Sequence, residues 1–295
     1  MHCTICQNQE HNQTLEAREM MIGLREPFRY LVCGACGAVQ LLDAPADMAR
    51  FYAAGYYSFS QAPTAAQAPL LAGMAEQFIS TYLKRLPVGG RVLDVGCGAG
   101  HLVYGLAELG HRAVGIDPFL DGEQSFANGA QLLQCTLHQL PEGQTWDVIL
   151  FNHSFEHLFD QRETLVRARE LLSPRGVMIV RMPTVSSYAW ETYGRDWVAL
   201  DAPRHTVLHS QASLELLARQ AGLRVRATLY DSSEFQFIGS EQYQRDIPLY
   251  GDDSYLVNPA RSPFSAADIE LFRQQARQLN QQQRGDTAAF YLSAG

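Results

Sequence analysis

No run of apolar residues in this chain approaches the roughly 20 needed to cross a bilayer. The opening residues, MHCTICQNQE, lack the charged and apolar regions of a signal peptide. A cytoplasmic protein with no membrane span is therefore expected. Basic clusters are missing as well. Met1–Ala46 holds no Lys/Arg cluster, and the formal net charge is −8, a balance that argues against a nucleic-acid polyanion as principal partner. Cysteine is sparse, six among 295 residues, a length that allows one large core or one core with a small appendage.

Four of the six cysteines are paired. Cys3-x-x-Cys6 and Cys33-x-x-Cys36 form two knuckles, each too tight for an internal disulfide to be the expected outcome. Two knuckles separated by a long loop have the layout of a tetrahedral four-thiolate zinc site. Gly34 and Gly37 suit the second turn, whose backbone N–H groups would point at the sulfurs. Four protein ligands leave no coordination position for a substrate, so the Zn²⁺ is expected to be structural. Cys97 and Cys135 stand alone and read first as small hydrophobes.

The centre of the chain is Arg91–Gly100, RVLDVGCGAG. Val92, Leu93 and Val95 read as a strand that stops in a glycine-rich turn before an amphipathic helix. Such a turn brings backbone N–H groups close to a ligand. A second strand, Ala113–Ile116, ends at Asp117, the position at which a carboxylate meets ribose hydroxyls in dinucleotide-type folds. Asp94 lies inside the first strand, where it can order the loop and lie near a positively charged ligand group.

These residues resemble motif I (Asp94, Gly96, Cys97, Gly98, Gly100) and the acidic motif II (Gly115, Ile116, Asp117) of class I S-adenosylmethionine-dependent methyltransferases. The resemblance runs from about Leu83 to Val225. It implies an α/β Rossmann-like sheet of seven strands with the last antiparallel, preceded by the small N-terminal zinc ribbon. By this likeness the glycine loop faces the methionine part of the cofactor and Asp117 its ribose. Pro118 follows Asp117, Cys135 and Leu137 fall where adenine-side contacts lie, and Asn152 joins the set. The aromatic cluster Phe51–Phe59 either seals the ribbon to the core or, through Tyr56 or Tyr57, lines the pocket.

Trp146–Phe151 reads as the fourth strand. His153, Glu156 and His157 follow it, at the mouth where open α/β sheets bind ligands. His153 and Glu156 are taken as pocket residues and His157 as structural. A helix near Leu165–Leu172 should end in a turn, Ser173–Gly176, before a fifth strand, Val177–Met182. A long aromatic loop then leads to Arg204-His205, a pair that by resemblance commonly faces the acceptor. His205 is the candidate general base, because an imidazole can accept a proton near neutral pH; a structural, hydrogen-bonded histidine is the alternative. Glu234, Gln236, Glu241 and Tyr243 are further acceptor candidates.

The expected organisation is therefore a ribbon over 1–45, an aromatic linker and helix over 46–86, and a methyltransferase domain over 87–295. That domain carries a helical insertion at about 231–283, before the last strand. The resemblance implies S-adenosyl-L-methionine as cofactor. It also implies a small polar acceptor, sugar-linked or nucleotide-sugar, with O-methylation first and N- and C-methylation open. An RNA methyltransferase gripping RNA through its ribbon, and a non-catalytic binding module, are the rival readings.

Overall fold

The computed structural model describes residues 1–52, 62–83, 86–87 and 89–295. Strands β1 (Gln13–Arg18), β2 (Pro27–Val32) and β3 (Val39–Leu41) form an antiparallel N-terminal sheet. Helix α1 (Ala68–Phe78), with Pro69 in its first turn, continues as a wider turn over Ile79–Leu83. There follow β4 (Arg91–Val95), α2 (His101–Glu108), β5 (Arg112–Ile116), β6 (Gln124–Ser125), β7 (Gln131–Leu133) and β8 (Trp146–Asn152). The second half contains α3 (Gln161–Leu171), β9 (Leu172–Pro183), α4 (Tyr188–Tyr193), β10 (Val207–Leu208) and α5 (Gln211–Gln220). It closes with β11 (Leu223–Tyr230), α6 (Phe235–Gln244), α7 (Ala266–Gln281) and β12 (Thr287–Ala294).

The large sheet has the order β11-β12-β9-β8-β4-β5-β7-β6. Apart from the two-residue edge strand β6, it is the seven-stranded sheet expected, and β12 runs antiparallel to both β9 and β11. β4 and β8 are buried along almost their whole length, because helices cover both faces of a parallel sheet. Ala75 of α1 and Val103 and Leu106 of α2 pack on one face. Leu165, Ala168 and Leu171 of α3 pack on the other with Leu214 and Leu217 of α5.

Two local expectations are corrected. Ser173–Gly176 is not a free turn before the fifth strand, since Leu172 already pairs with Trp146 and Val177 pairs with Val148. The intervening residues bulge out opposite Asp147, whose Oδ1 accepts a hydrogen bond from Ser173 Oγ at 3.1 Å. The long aromatic loop is also not structureless: it contains α4, capped by Ser187 Oγ, and short 3₁₀ turns at Gly194–Asp196 and Val198–Leu200. Its hydrophobic side chains had a core to enter, and Trp197 is fully buried.

The N-terminal sheet is fastened to the rest of the chain. β10 adds to it as a fourth strand beside β3, so the segment just after His205 belongs to both halves of the molecule. Cys3, Leu31 and Cys36 share a hydrophobic cluster with the large sheet. Tyr30 shares another with Trp197 and Phe237.

Close packing of α1 on α2 depends on Gly105, where a Cβ would lie 2.2 Å from the Leu71 carbonyl oxygen. Backbone cannot yield as a flexible side chain can. Gly105→Ala should cost about 1–3 kcal/mol and lower the melting temperature in a thermal scan, and an unchanged melting temperature would contradict the packing described.

Candidate active site

The carboxyl ends of β4, β5 and β8 meet at a cleft of about 910 Å³. Gly96 turns the chain at φ +77°, and a Cβ there would lie 2.4 Å from Ser154 Cβ. Only glycine fits both the angle and the contact. Ser154 Oγ in turn donates to the Val95 carbonyl at 2.5 Å. The Gly98 N–H donates to Asp117 Oδ2 at 3.1 Å, and the Phe119 N–H to Asp117 Oδ1 at 2.9 Å. Asp117 therefore holds the glycine loop while lining the cleft.

Gly96, Asp117, Pro118, Cys135, Leu137 and His153 line this cleft together. Thr136, His138 and Tyr52 also line it and had not been singled out from the sequence. Gly98 and Gly100 shape the loop instead, and Gly100 caps α2 at φ +81°. Cys97 packs behind, where its Sγ would meet a Cβ on Gly115 at 2.6 Å. Burial, with Asp94 and Asp117 nearby, pushes its thiol well up, so it is no nucleophile. Asn152 is not among the residues lining the cleft, and its Oδ1 accepts from Arg181 Nη1 at 3.1 Å. Tyr57 lies outside the described residues.

Asp94 does not bond to the glycine loop. Its Oδ1 is buried without a hydrogen-bond partner among the described residues. Burial first, and the charge of Asp117 second, push its carboxyl up to about 7. A cation bound nearby would favour its ionised form.

A second cavity of about 1090 Å³ adjoins the first, and His153 lines both. His153 sits at φ +55°, a conformation uncommon outside glycine and one that side chains at functional sites adopt more often. Its Nδ1 lies 3.4 Å from Glu156 Oε1. Glu156 is fully buried, and apart from the His153 ring neither carboxylate oxygen has a close hydrogen-bond partner among the described residues. Burial opposes its charge, but His153, His205 and His157 outweigh burial and bring the carboxyl down to about 2.

His205 Nδ1 lies 2.7 Å from the Ala199 carbonyl. A carbonyl only accepts, so Nδ1 carries the proton and Nε2 of the neutral ring presents a lone pair. Nε2 stands 3.9 Å from both Glu156 Oε1 and Asp201 Oδ2. His157 stacks edge-on against His205 at 4.7 Å and bonds to the Arg204 carbonyl at 2.9 Å. Burial, then His205, bring His157 down to about 4.

Arg204 lines neither cavity. It is fully buried, with its fork on Asp201 at 2.9 and 2.6 Å and on Glu19 at 3.1 Å. Of the insertion candidates, Gln236 lines the second cavity. Glu234 instead pairs with Arg273, Glu241 accepts from Tyr193 and Arg245, and the buried Tyr243 hydroxyl has no hydrogen-bond partner among the described residues. Asp286 and Tyr250 line the cavity too, and no local sequence pattern marks them.

The four paired cysteines converge near the N-terminus. Cys3 and Cys36 sulfurs are 3.6 Å apart, those of Cys6 and Cys33 are 3.5 Å apart, and all four lie within 4.8 Å of one another. A tetrahedron with Zn–S bonds of about 2.3 Å requires similar separations. Backbone N–H groups of Ala35 and Cys36 point at Cys33 Sγ at 3.4 Å, and Gln40 Nε2 donates to Cys3 Sγ at 3.1 Å. The donor set fits a closed thiolate site.

A family profile described as "Methyltransferase domain" matches residues 68–228, more than half of the chain. Ubiquinone biosynthesis O-methyltransferase of Azorhizobium caulinodans is 33% identical over 182 residues, covering 55% of this chain and 72% of that protein. Its namesake in Bradyrhizobium diazoefficiens is 32% identical over 131 residues, covering 40% of this chain and 50% of that protein. A solved SAM-dependent methyltransferase from Archaeoglobus fulgidus aligns at 18% identity and TM-score 0.47, over 76% of this chain and 94% of that one. The chain belongs to the methyltransferase domain family and is an S-adenosylmethionine-dependent methyltransferase. Among the described residues no helix is long and apolar enough to cross a membrane.

The cofactor carries a sulfonium, and a cation near Asp94 favours its carboxylate over its acid form. S-adenosylmethionine affinity should therefore rise as pH climbs through about 7 and level off above it. S-adenosylhomocysteine, whose sulfur is neutral, should show a smaller rise, and Asp94→Asn should flatten the difference. Calorimetric titration across that range checks this, and parallel pH profiles for both ligands would contradict it.

Proposed function

We propose that the first cleft holds S-adenosylmethionine and that the second cavity holds a small uncharged acceptor, which is methylated on a hydroxyl oxygen. The observation that carries this reading is His153, shared by the two cavities, with Glu156 and His205 beside it. Gly96 and the glycine loop would face the methionine part, Asp117 the ribose, and Pro118, Cys135 and Leu137 the adenine side. The named relatives support O-methylation.

When bound, the cofactor would supply a methyl group activated by its sulfonium, the methyl–sulfur bond breaking with its electron pair left on a neutral sulfur. His205 Nε2 would take the proton of the acceptor hydroxyl as its oxygen bonds to the methyl carbon. Glu156 and Asp201 would stabilise the imidazolium so formed, because opposite charge nearby favours the charged ring. The walls would hold the acceptor in line, which can contribute about 7–11 kcal/mol to such a step.

The lining of the second cavity narrows the acceptor. Met21, Val198, Phe235, Leu249 and Leu256 are apolar, whereas Glu156, Asp201 and Asp286 are carboxylates. No Lys or Arg is among the described residues that line it. That composition favours an uncharged acceptor with an apolar body over a diphosphate-linked sugar, and it counts equally against RNA. The close thiolate cluster and the two further free thiols suit a reducing compartment, which supports a cytoplasmic setting. We also infer that the thiolates hold structural Zn²⁺. Cys33→Ser with Cys36→Ser should release about one zinc per chain by elemental analysis, and full zinc retention would remove the four-thiolate site.

Turnover is tested by S-adenosylhomocysteine release, with 4-alkylcatechols and 4-nitrophenyl glycosides set against nucleotide-diphosphate sugars. Uncharged acceptors should react and the diphosphates should not. On the acceptor that reacts, His205→Ala should lower kcat by about 10²–10⁴-fold and leave cofactor affinity unchanged. Near-normal kcat would remove His205 as the base.

A further inference from the structure

The turn between β1 and β2 belongs to the N-terminal ribbon, yet it ends at the second cavity. Met21 lines that cavity. The turn also carries two wall residues of the insertion, since Leu249 N–H donates to the Met20 carbonyl at 3.0 Å and Tyr250 N–H to the Met21 carbonyl at 2.9 Å. Leu249 and Tyr250 both line the same cavity. Ribbon and insertion thus close one side of it together.

Glu19 organises this turn. It is fully buried. Oε1 accepts from the N–H groups of Met21 and Ile22 at 3.0 Å each, and Oε2 from Gly23 at 3.0 Å and Leu24 at 2.9 Å. Among the described residues its other partner is Arg204 Nη2 at 3.1 Å. Arg204 passes the constraint on, for its Nε and Nη2 bind the two oxygens of Asp201. Asp201 is held at φ +41° with Oδ2 3.9 Å from His205 Nε2. A second tie runs from the ribbon to the same histidine, where the buried Tyr30 hydroxyl donates to the His205 carbonyl at 3.1 Å.

A turn needs few of these bonds to exist. A carboxylate that caps four N–H groups is fully satisfied by them, so the added guanidinium links the turn to something else. Here the chain of contacts ends beside the nitrogen that faces the cavity. We propose that the β1–β2 turn is part of the acceptor site, with Met21 as a wall that limits acceptor size and Glu19 as a positioning residue for His205 through Arg204 and Asp201. This rests on the reading of the second cavity as the acceptor site.

The test uses the full chain. Glu19→Gln keeps the side-chain shape and removes the charge that faces Arg204. Hydrogen exchange, which needs no acceptor, should quicken over residues 199–206 as well as 18–26, while the glycine loop over 94–100 stays unchanged. Exchange that quickens only over 18–26 would overturn the positioning role. With 4-n-butylcatechol as the probe, Glu19→Gln should lower kcat by about 10- to 100-fold, the scale of a displaced catalytic group. KM and S-adenosylhomocysteine affinity should hold, and the acid limb of the pH–kcat profile should move. An unmoved pH profile would count against the positioning role. Tyr30→Phe deletes the second tie alone and should act in the same direction if Glu19→Gln fails to fold.

Met21→Ala and Met21→Trp should shift the probe's KM in opposite directions. Phe235→Ala, a lining residue outside the ribbon turn, separates the two ideas. If Phe235→Ala changes KM and the Met21 variants do not, the ribbon wall is wrong and the acceptor cavity stands. If neither changes KM, the acceptor cavity itself is wrong.

Discussion

A guanidinium removed from water constrains everything around it. Arg204 is fully buried, and leaving such a charge unpaired would cost several kcal/mol. Its partners come from three separate parts of the chain: Glu19 in the ribbon turn, the Phe51 carbonyl after the ribbon, and Asp201 in its own loop. The two carboxylates outweigh the burial that would discharge it and hold its pKa above the ordinary arginine value. These parts are in register only when the ribbon, the aromatic loop and β10 are all in place. The geometry of His205, one residue further on, follows from that assembly.

The charge pattern across the site follows from position as much as from residue type. Asp94 and Glu156 are both buried carboxyls, and their fates differ. Asp94 faces another carboxylate and is pushed up to about 7, whereas Glu156 faces three imidazoles and is drawn down to about 2. Asp94, one residue before Val95 of the first cleft, is therefore an acid that a nearby cation can ionise, and Glu156 in the second cavity is a fixed anion beside His205. That division suits a cationic methyl donor on one side and a neutral hydroxyl on the other.

The large sheet was legible in the sequence because its signals are local. Val92–Val95, apolar but for Asp94, and Val148–Phe151 are runs that stop at glycine or polar residues, and Gly96 has the contact and angle that its spacing implies. Ser265 and Asp268, at capping-box spacing, form that box on the last long helix. The sequence pattern misled where an outcome depended on distant packing. Arg204 resembled a residue that faces an acceptor, yet its partners lie in segments that no local pattern links to it. Tyr250 reaches the second cavity because the insertion folds back onto the N-terminal turn, and Asp286 because β12 enters the sheet beside β9. Ser173–Gly176 has the composition of a turn, and pairing of Leu172 with Trp146 makes it a bulge instead.

The central claim is that cofactor and acceptor meet at His153. A crystal structure of the protein with S-adenosylhomocysteine tests it most directly. The account predicts the ribose at Asp117, the adenine beside Leu137, and the sulfur turned toward His153 and the opening into the second cavity. A sulfur turned away from that opening, or a nucleoside seated in the second cavity, would contradict it.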